Sequence, residues 1–260
     1  MAEDACTLGF GVTYDMVAVQ TACGQLLTLT SHRGDDRTPP HKHINDYICI
    51  VLTGGFAEQE RNDWRERCRG TYFMHHAGET HHDRFGPDGA TCLNLHFAAG
   101  EPTSIIEGAC PTLTRIAADK LAFELAGAFR EELVMASLAA EIMGDLQPSE
   151  GAPHEGRWID RIVEALWDEP ARRWSLRELA GIAQRHPVHV AQAFRAKTGI
   201  SLGAFQRRRR LTNVSLALQR GTTSLAMLAD EFGYCDQSHM TTEFRAAFGI
   251  SPGRYRRDFH

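Results

Sequence analysis

Two histidines separated by one residue have the type and spacing to do chemistry. His41 and His43 come just before an apolar run, residues 47–52, that predicts a β-strand. Residues two apart on a strand point to the same face, so both imidazoles can bind one ligand. Among metals, imidazole nitrogen suits Zn, Fe, Ni and Cu. The pair predicts either a metal site or the polar mouth of a β-structure that holds no metal.

A second segment suited to binding lies near the end of the chain, where two helices flank a tight turn. Leu225 and Leu228 lie at helical spacing, and Gly233 ends that helix because glycine adopts a left-handed conformation without penalty. Asp236 is placed to accept a backbone N–H and begin the next helix, Gln237–Phe248. One face of this helix carries Gln237, Ser238, His239, Thr241, Thr242 and Arg245. This is the helix-turn-helix layout, whose second helix enters the major groove of DNA.

The same layout occurs once more, earlier in the chain. Residues 194–207 and 244–257 are identical at eight of 14 positions, at an offset of 50. The earlier second helix is predicted over residues 187–197, and a connecting helix over residues 204–219. That connecting helix would span about 24 Å. It is a suitable spacer for two recognition helices in successive major grooves, about 34 Å apart.

The second helix of the earlier copy has fewer hydrogen-bonding side chains. We expect His189 and Gln192 to read base edges, and Val188 to contact thymine methyl groups. We expect phosphate contacts from the basic side chains Arg195, Lys197 and Arg245.

The charge distribution agrees with a basic DNA-binding half. The whole chain carries −5, but residues 155–260 hold 17 Lys+Arg against 11 Asp+Glu, giving +6, and residues 1–154 carry −11. Such asymmetry is typical of chains with a nucleic-acid-binding part. Seven scattered cysteines without a Cys-x-x-Cys motif favour free thiols in a reducing cytoplasm. The acidic start lacks a signal-peptide pattern, and no apolar run is long enough to predict a membrane span.

The later helix-turn-helix resembles the signature of the AraC/XylS transcription regulators. The matching residues are Gly-Tyr at 233–234, Asp-Gln-Ser at 236–238, Glu-Phe-Arg at 243–245 and Phe-Gly-Ile-Ser-Pro at 248–252. The resemblance is close over residues 158–257. It implies sequence-specific binding of double-stranded DNA, more commonly to activate than to repress. Implied partners are an unknown small-molecule effector, a second copy of the chain and, for an activator, RNA polymerase.

The first half resembles the cupin fold more loosely, through Pro-x-His-x-His at 39–43, Leu-x-Gly at 52–54 and Gly-x-x-His at 78–81. The resemblance implies that His81 joins His41 and His43 around a ligand or a divalent metal (Zn, Fe or Ni). Tyr47 occupies the position of the cupin glutamate, so the ligand set is incomplete. His96, on a neighbouring strand, is a candidate for a further nitrogen. We expect His75, His76 and His82 to lie in loops or to face outward.

Two apolar stripes lie between the halves and predict two helices with a break near residues 130–132. The stripes are Leu121, Leu125 and Phe129, then Leu133, Leu138 and Ile142. They either pack onto the barrel or form a homodimer interface.

These patterns predict an α+β protein of two domains. The first is an antiparallel, cupin-like β-barrel at residues 1–111, followed by a helical connector at 112–147 and a linker at 148–154. The second, at 155–260, is all-α, with two helix-turn-helix units joined by a linker helix. We predict a cytoplasmic, ligand-responsive transcription regulator that is not an enzyme. The alternatives are a cupin metalloenzyme with an appended DNA-binding module and a DNA-binding protein without an effector.

Overall fold

The computed structural model describes residues 6–9, 13–22, 24–60, 63–98, 105, 107–127, 131–146, 157–221 and 223–259. The chain divides into two compact units, residues 1–125 with 130–148 and residues 126–129 with 149–260. The predicted linker at 148–154 lies outside the described residues, so the domain boundaries stay predictions. No described helix is both long enough and apolar enough to cross a bilayer.

The first unit is a sheet followed by two helices. In chain order its strands are β1 (Cys6–Leu8), β2 (Met16–Ala22), β3 (Gln25–His32), β4 (His41–His43), β5 (Tyr47–Glu60), β6 (Asp63–Cys68), β7 (Thr71–His75), β8 (Thr80–His96) and β9 (Gly108–Ala109). Strands β5 and β8 are the longest, with 14 and 17 residues. They pair antiparallel along most of their length and form the centre of the sheet.

The register of the sheet brings histidines from several strands onto one face. His41 lies opposite His81, and Tyr47 lies opposite both His75 and His96. Directly opposite residues of an antiparallel pair project their side chains to the same side. The inner face is therefore polar where these strands meet.

Glycines allow the paired strands β5 and β8 to bend where Gly54 approaches Gly89. Gly54 and Gly89 have φ values of 67° and 66°, and a Cβ on Gly54 would overlap the carbonyl of Gly89. The register of the β5–β8 pair shifts on either side of Gly54, and such bulges bend a strand. The curved inner face encloses a buried core of Tyr47, Cys49, Val51, Phe56, Phe73, Phe85, Ala90 and Cys92.

The predicted antiparallel β-barrel is wrong in two respects. Among the described strands the hydrogen-bonded path runs from β1 through β4, β8, β5 and β7 to β9 and stays open. The strands at its ends have only three and two residues, which leaves few backbone groups with which to close a barrel. Strand β1 also pairs with β4 in parallel. The long connection through β2 and β3 permits this, since parallel neighbours need a crossover of about a dozen residues or more.

The two helices expected after the sheet are confirmed as α1 (Thr112–Ala126) and α2 (Glu132–Leu146). Leu121, Leu125, Leu138 and Ile142 are all buried within the single chain, whereas Leu133 is 78% exposed. The burial favours a core role for these stripes over a dimer interface. Phe129, which was assigned to the first stripe, lies outside the described residues.

The second unit consists of helices. They are α3 (Arg157–Asp168), α4 (Leu176–Ala183), α5 (Pro187–Thr198), α6 (Leu202–Arg220), α7 (Leu225–Glu231), α8 (Gln237–Phe248) and α9 (Pro252–Phe259). Helix α4 starts with a capping box: Ser175 accepts from the backbone N–H of Glu178, whose side chain accepts from the backbone N–H of Ser175.

The internal repeat of the sequence is also a repeat of local geometry. Helices α5 and α8 have 12 residues each and end at Gly199 and Gly249, both with a φ of 74°. Each glycine is followed two residues later by a serine that caps the next helix: Ser201 accepts from the N–H of Ala204, and Ser251 from that of Arg254. The two helix pairs are therefore copies of one unit.

Helix α6 joins the copies and packs against both. It contacts α5 on one side and α8 and α9 on the other. Arg209 and Arg210 are buried on it; the guanidinium of Arg209 lies over the ring of Trp167, and that of Arg210 lies 4.0 Å from Glu243. The contacts of these two arginines therefore lie inside the unit.

Candidate nucleic-acid interface and buried histidine site

Each copy presents a second helix that starts at a well-formed cap. His186 caps α5 by accepting from the N–H of Val188, with Pro187 at the first turn. Asp236 caps α8 by accepting from the N–H of His239 at 2.7 Å, as its position in the sequence predicted. Both helices bury one stripe, Val190 and Phe194 on α5 and the equivalent residues on α8. Their opposite faces are left to solvent.

Most of the predicted DNA-contacting side chains lie on these solvent faces. The exposed ones are Val188, His189, Gln192, Arg195 and Lys197 on α5, and Gln237, Ser238, Thr242 and Arg245 on α8. Thr241 and His239 are half-buried. The two faces together offer amide, hydroxyl, imidazole and cationic groups, which suit base edges and phosphates.

His239 differs from its neighbours because other residues of the same unit hold its ring. Nη2 of Arg173 lies 3.2 Å from Nδ1 of His239, and Oε1 of Glu243 lies 3.5 Å from its Nε2. The Arg173 side chain also donates to the carbonyl of Gly233 at 2.8 Å. The imidazole therefore bridges a cation and a carboxylate inside the unit, and its two nitrogens already have partners.

In the first unit the structure brings His41, His43 and His81 together. All three are buried, and each offers a nitrogen within 4.8 Å of the others. The Nδ1 atom of His41 lies 2.9 Å from the carbonyl oxygen of Pro39, to which it donates. Its Nε2 atom is thereby left with a lone pair, which a metal ligand needs.

The structure does not bring His96 into this group. Its Nδ1 atom lies 3.0 Å from the side-chain amide of Asn45, which donates to it, and its Nε2 atom lies 3.0 Å from the hydroxyl of Thr28. Burial lowers the pKa of His96 to about 3, so the ring is neutral. His96 thus belongs to a separate hydrogen-bonded network on the inner face.

His75, which was predicted to face outward, is buried at 4% exposure. It forms a second donor group with Glu58 and His81, again with ligand atoms within 4.8 Å. The alternation of side chains along a strand could have predicted this burial. Phe73 lies two residues before His75 and Phe56 two residues before Glu58, so each pair shares the inward face of its strand. His76 is more than half exposed, as predicted.

Tyr47 occupies the space next to two of the histidines. Its hydroxyl lies 3.3 Å from Nε2 of His43, and its ring stacks on His75 with centroids 4.5 Å apart. Burial raises the pKa of the Tyr47 hydroxyl well above its usual value, so it stays protonated. Tyr47 therefore does not replace the negative charge of a glutamate.

The electrostatics of the pocket favour neutral imidazoles. Burial lowers the pKa of His41, and it holds those of His75 and His81 well below the usual value, with the neighbouring histidines acting in the same direction. Burial and the nearby Asp83 raise the pKa of Glu58 to about 8, against the opposing effect of Arg67. Neutral imidazoles can bind a metal cation, and a cation in this pocket would in turn lower the pKa of Glu58.

The cavity at the histidines is small, about 40 Å³. It is large enough for a metal ion with a water molecule or two, and far below the volume of about 300–1,000 Å³ that holds a drug-sized ligand. Two buried donors without a well-formed hydrogen bond, Oε1 of Glu58 and Nδ1 of His81, also fit a bound cation. A second cavity, of about 790 Å³, is lined by charged side chains that include Glu60, Arg65 and Glu107.

Comparison with known proteins assigns the helical unit. Residues 179–258 match the family described as helix-turn-helix domain. Over 98 residues, 38% of this chain, the sequence is 31% identical to the multiple antibiotic resistance protein MarA of Escherichia coli strain K12, and the match covers 77% of MarA. Over 105 residues, 39% of this chain, it is 24% identical to the HTH-type transcriptional regulator MtrA of Neisseria gonorrhoeae.

The matches leave most of the longer relatives uncovered. The chain spans about a third (35%) of the length of MtrA. A crystal structure of ToxT from Vibrio cholerae covers 91% of this chain and 98% of its own, at 8% identity and a TM-score of 0.37, which is too low to support any conclusion. The match to most of MarA and the repeated helix-turn-helix signature together assign the family: this chain belongs to the AraC/XylS family of transcription regulators.

Proposed function

We propose that this protein is a sequence-specific DNA-binding transcription regulator that responds to a ligand or metal in its N-terminal sheet. The observation that carries the proposal is the repeated helix pair, α4–α5 and α7–α8, with polar and cationic side chains exposed on both second helices. A second helix of this kind lies in a major groove and reads base edges with its exposed face.

The connection between the copies supports binding by both. Helix α6 has 19 residues without interruption, which gives a length of about 28 Å. Gln206 on α6 also bonds both backbone groups of Trp174, at 3.0 and 3.1 Å, so the turn before α4 is tied to the connecting helix. We infer that α5 and α8 occupy successive major grooves on one face of the duplex.

The sensor role is inferred from the pocket of His41, His43 and His81. Buried groups with shifted pKa values that converge on a cavity are typical of binding sites. We further propose activation through RNA polymerase, assembly as a homodimer and a cytoplasmic location, as the family resemblance implies. The relatives matched are regulators, which supports a regulatory role over an enzymatic one.

Selection of genomic fragments tests the DNA-binding proposal. The full chain would be incubated with a fragment pool, bound duplexes recovered and sequenced, and affinity measured by fluorescence anisotropy at several salt concentrations. We expect a recovered motif with two segments about one helical turn apart and a steep fall in affinity with salt. Failure to bind any fragment at low salt would overturn the proposal.

The choice of variants separates specific from general binding. Combined alanine substitution of Gln192 and Gln237 should abolish the preference for the selected motif while leaving binding to random duplex. The matched control is Gln184→Ala, a substitution of an exposed glutamine in the turn between α4 and α5. A control variant that loses the preference as fully would point to a fault in folding.

A further inference from the structure

Three buried donors from three strands converge beneath the predicted sensor pocket. We propose that Glu58 of β5, His75 of β7 and His81 of β8 bind a divalent transition metal ion as a two-histidine, one-carboxylate site. The proposal rests on the sensor role proposed above and names the chemistry of the signal. It differs from the sequence-based expectation, in which His41 and His43 supply the ligands with His81.

The distances suit a shared metal. Nε2 of His75 lies 3.2 Å from Oε1 of Glu58, and the ligand atoms of Glu58, His75 and His81 all lie within 4.8 Å of one another. Two donors that each bind one metal at about 2.1 Å are separated by about 3.2–3.4 Å at near-tetrahedral angles. The Glu58–His75 pair already has this separation, and the distances from both to His81 are at most 4.8 Å.

Two of these atoms have no well-formed hydrogen bond among the described residues. Oε1 of Glu58 and Nδ1 of His81 are both buried; the contact between Glu58 and His75 does not meet hydrogen-bond geometry, and His81 has only a weaker contact with the backbone of Glu79. Glu58 is 0% exposed and His81 is 3% exposed. An unpaired buried polar atom is costly, so two in one group indicate a missing partner that accepts lone pairs.

A second layer of contacts orients the carboxylate. Nε of Arg67 donates to Oε2 of Glu58 at 2.8 Å, which leaves Oε1 directed at His75. The guanidinium of Arg67 is itself fixed over the ring of Phe73, 3.9 Å from its centroid, and bonded to Glu107 at 2.7 Å. Outer contacts of this kind hold a metal-binding carboxylate in one orientation.

One of the alternative donors is partly occupied, because Nε2 of His43 lies 3.3 Å from the hydroxyl of Tyr47. A set of His41, His43 and His81 would also contain no anionic ligand, because Tyr47 stands in place of the glutamate. Glu58 offers a carboxyl group from a different strand position, and a bound cation would favour the ionised form of that carboxyl. His41 and His43 then line the cavity of about 40 Å³ above the metal, where a water or a small anion fits.

The donor types limit the metal. Two imidazoles and one carboxylate suit Fe²⁺, Zn²⁺, Co²⁺ and Ni²⁺, whereas Mg²⁺ and Ca²⁺ prefer oxygen ligands.

Titration of the metal-free full chain with Co²⁺ tests the site, because cobalt reports its ligands by visible absorption. Calorimetry gives the stoichiometry and affinity, and Zn²⁺ is titrated in parallel. We expect one equivalent of tight binding and a rise in melting temperature. Glu58→Gln and His75→Gln should each weaken binding by about 100-fold, and His43→Gln should change it less than about threefold.

The controls separate metal binding from folding. His76→Gln is the matched control for His75→Gln, because His76 is the exposed next residue. Circular dichroism and melting of the metal-free variants establish whether each one folds. Should Glu58→Gln leave Arg67 unpaired and unfold the sheet, the result for His75→Gln decides. Loss of binding in His43→Gln with retention in His75→Gln would overturn the proposal, as would a wild-type chain that binds no Co²⁺ or Zn²⁺.

DNA binding is measured on the same protein preparations twice, once in EDTA and once with the metal bound. If the full chain binds its selected duplex but no metal, the metal proposal fails and the DNA-binding proposal stands. If it binds metal through Glu58 and His75 but no duplex, the reverse holds. The two proposals can therefore fail independently.

Discussion

Gln237 and His239 lie on the same helix but are held differently. Gln237 is exposed at the first turn of α8, whereas His239 is bridged between Arg173 and Glu243. An exposed amide can turn to meet a base, while a bridged imidazole must first break its internal contacts. The sequence placed the two in one class, and the structure separates their expected effects.

Gln237→Ala should reduce affinity for the cognate duplex by about 1–3 kcal/mol and leave affinity for random duplex nearly unchanged, because it removes a base-edge contact. His239→Ala should instead lower affinity for both duplexes together and reduce the melting temperature. Anisotropy titrations on both duplexes, with a thermal melt of each variant, measure the contrast. Equal behaviour of the two variants would contradict the distinction.

Arg245→Ala should weaken binding to every duplex by a similar factor and reduce the slope of log affinity against log salt by about one, because it removes a phosphate contact. Arg172→Ala is a suitable control. That arginine is also exposed, but it is paired with Glu169 and Glu178 and lies outside the second helices. A slope unchanged by Arg245→Ala would remove this residue from the phosphate contacts.

At the scale of elements, the turns of the two helix pairs depend on specific backbone conformations. Gly233 follows α7 with a φ of 69°, and a Cβ there would overlap the carbonyl of Ala171. Gly199 follows α5 with a φ of 74°, but a Cβ there would meet nothing within 4 Å. The two glycines share a conformational requirement and differ in the space around them.

Gly233→Ala should therefore cost more stability than Gly199→Ala. A left-handed alanine alone costs about 1–2 kcal/mol, and the overlap at Gly233 adds to it. Urea unfolding of both variants gives the two free energies. Equal losses would mean that the chain around Ala171 relaxes without cost.

The stripes on α1 and α2 provide a second test at this scale. Leu138→Ala should lower the free energy of unfolding by about 2–5 kcal/mol, because the side chain is buried. Leu133→Ala, at a 78% exposed position of the same helix, should change it by less than about 0.5 kcal/mol. Urea unfolding and analytical ultracentrifugation are run together. A wild-type dimer that Leu138→Ala converts into a monomer of unchanged stability would restore the dimer interpretation of this stripe.

Local signals predicted the helical elements well. Ser175, Asp236 and the glycines that end α5 and α8 are capping residues, and their effect depends on a few neighbouring positions. The sheet depends on contacts between distant residues. Because His75 adjoins a histidine-rich turn, it was assigned to a loop or an outward face. Its position beside Glu58 depends on the pairing of β5 with both β7 and β8, which the local sequence does not show. The close approach of Gly54 and Gly89, where the sheet curves, is likewise a contact between residues 35 positions apart in the chain.

At the scale of the whole molecule, the two halves of the chain have opposite charge. The half that carries the repeated helix pairs has +6, and the preceding half has −11. DNA repels the acidic half and attracts the basic one, which orients the molecule as it approaches a duplex. A chain of this overall charge still binds DNA when the positive charge is concentrated in one unit.

Operator spacing should matter as much as operator sequence. Inserting five base pairs between the two segments turns one by about half a helical turn relative to the other. The expected result is a fall in affinity to that of a duplex with a single segment, measured by anisotropy on matched duplexes. The control is a duplex with a ten-base-pair insertion, which returns both segments to one face of the DNA but moves them about one helical turn further apart. The protein should bind this duplex weakly as well. Full affinity for the five-base-pair insertion would mean that only one of the two helices reads DNA.

The continuous helix α6 has a consequence for how tightly each copy needs to bind. If α5 and α8 occupy successive grooves as proposed, then with α5 bound the binding of α8 is an intramolecular event at a high effective concentration. The apolar Val188 and the sparse polar groups of α5 are then sufficient, because the helix need not compete for DNA alone. The two faces can contribute unequally to recognition, with α8 selecting the sequence and α5 prolonging the residence of the protein on it.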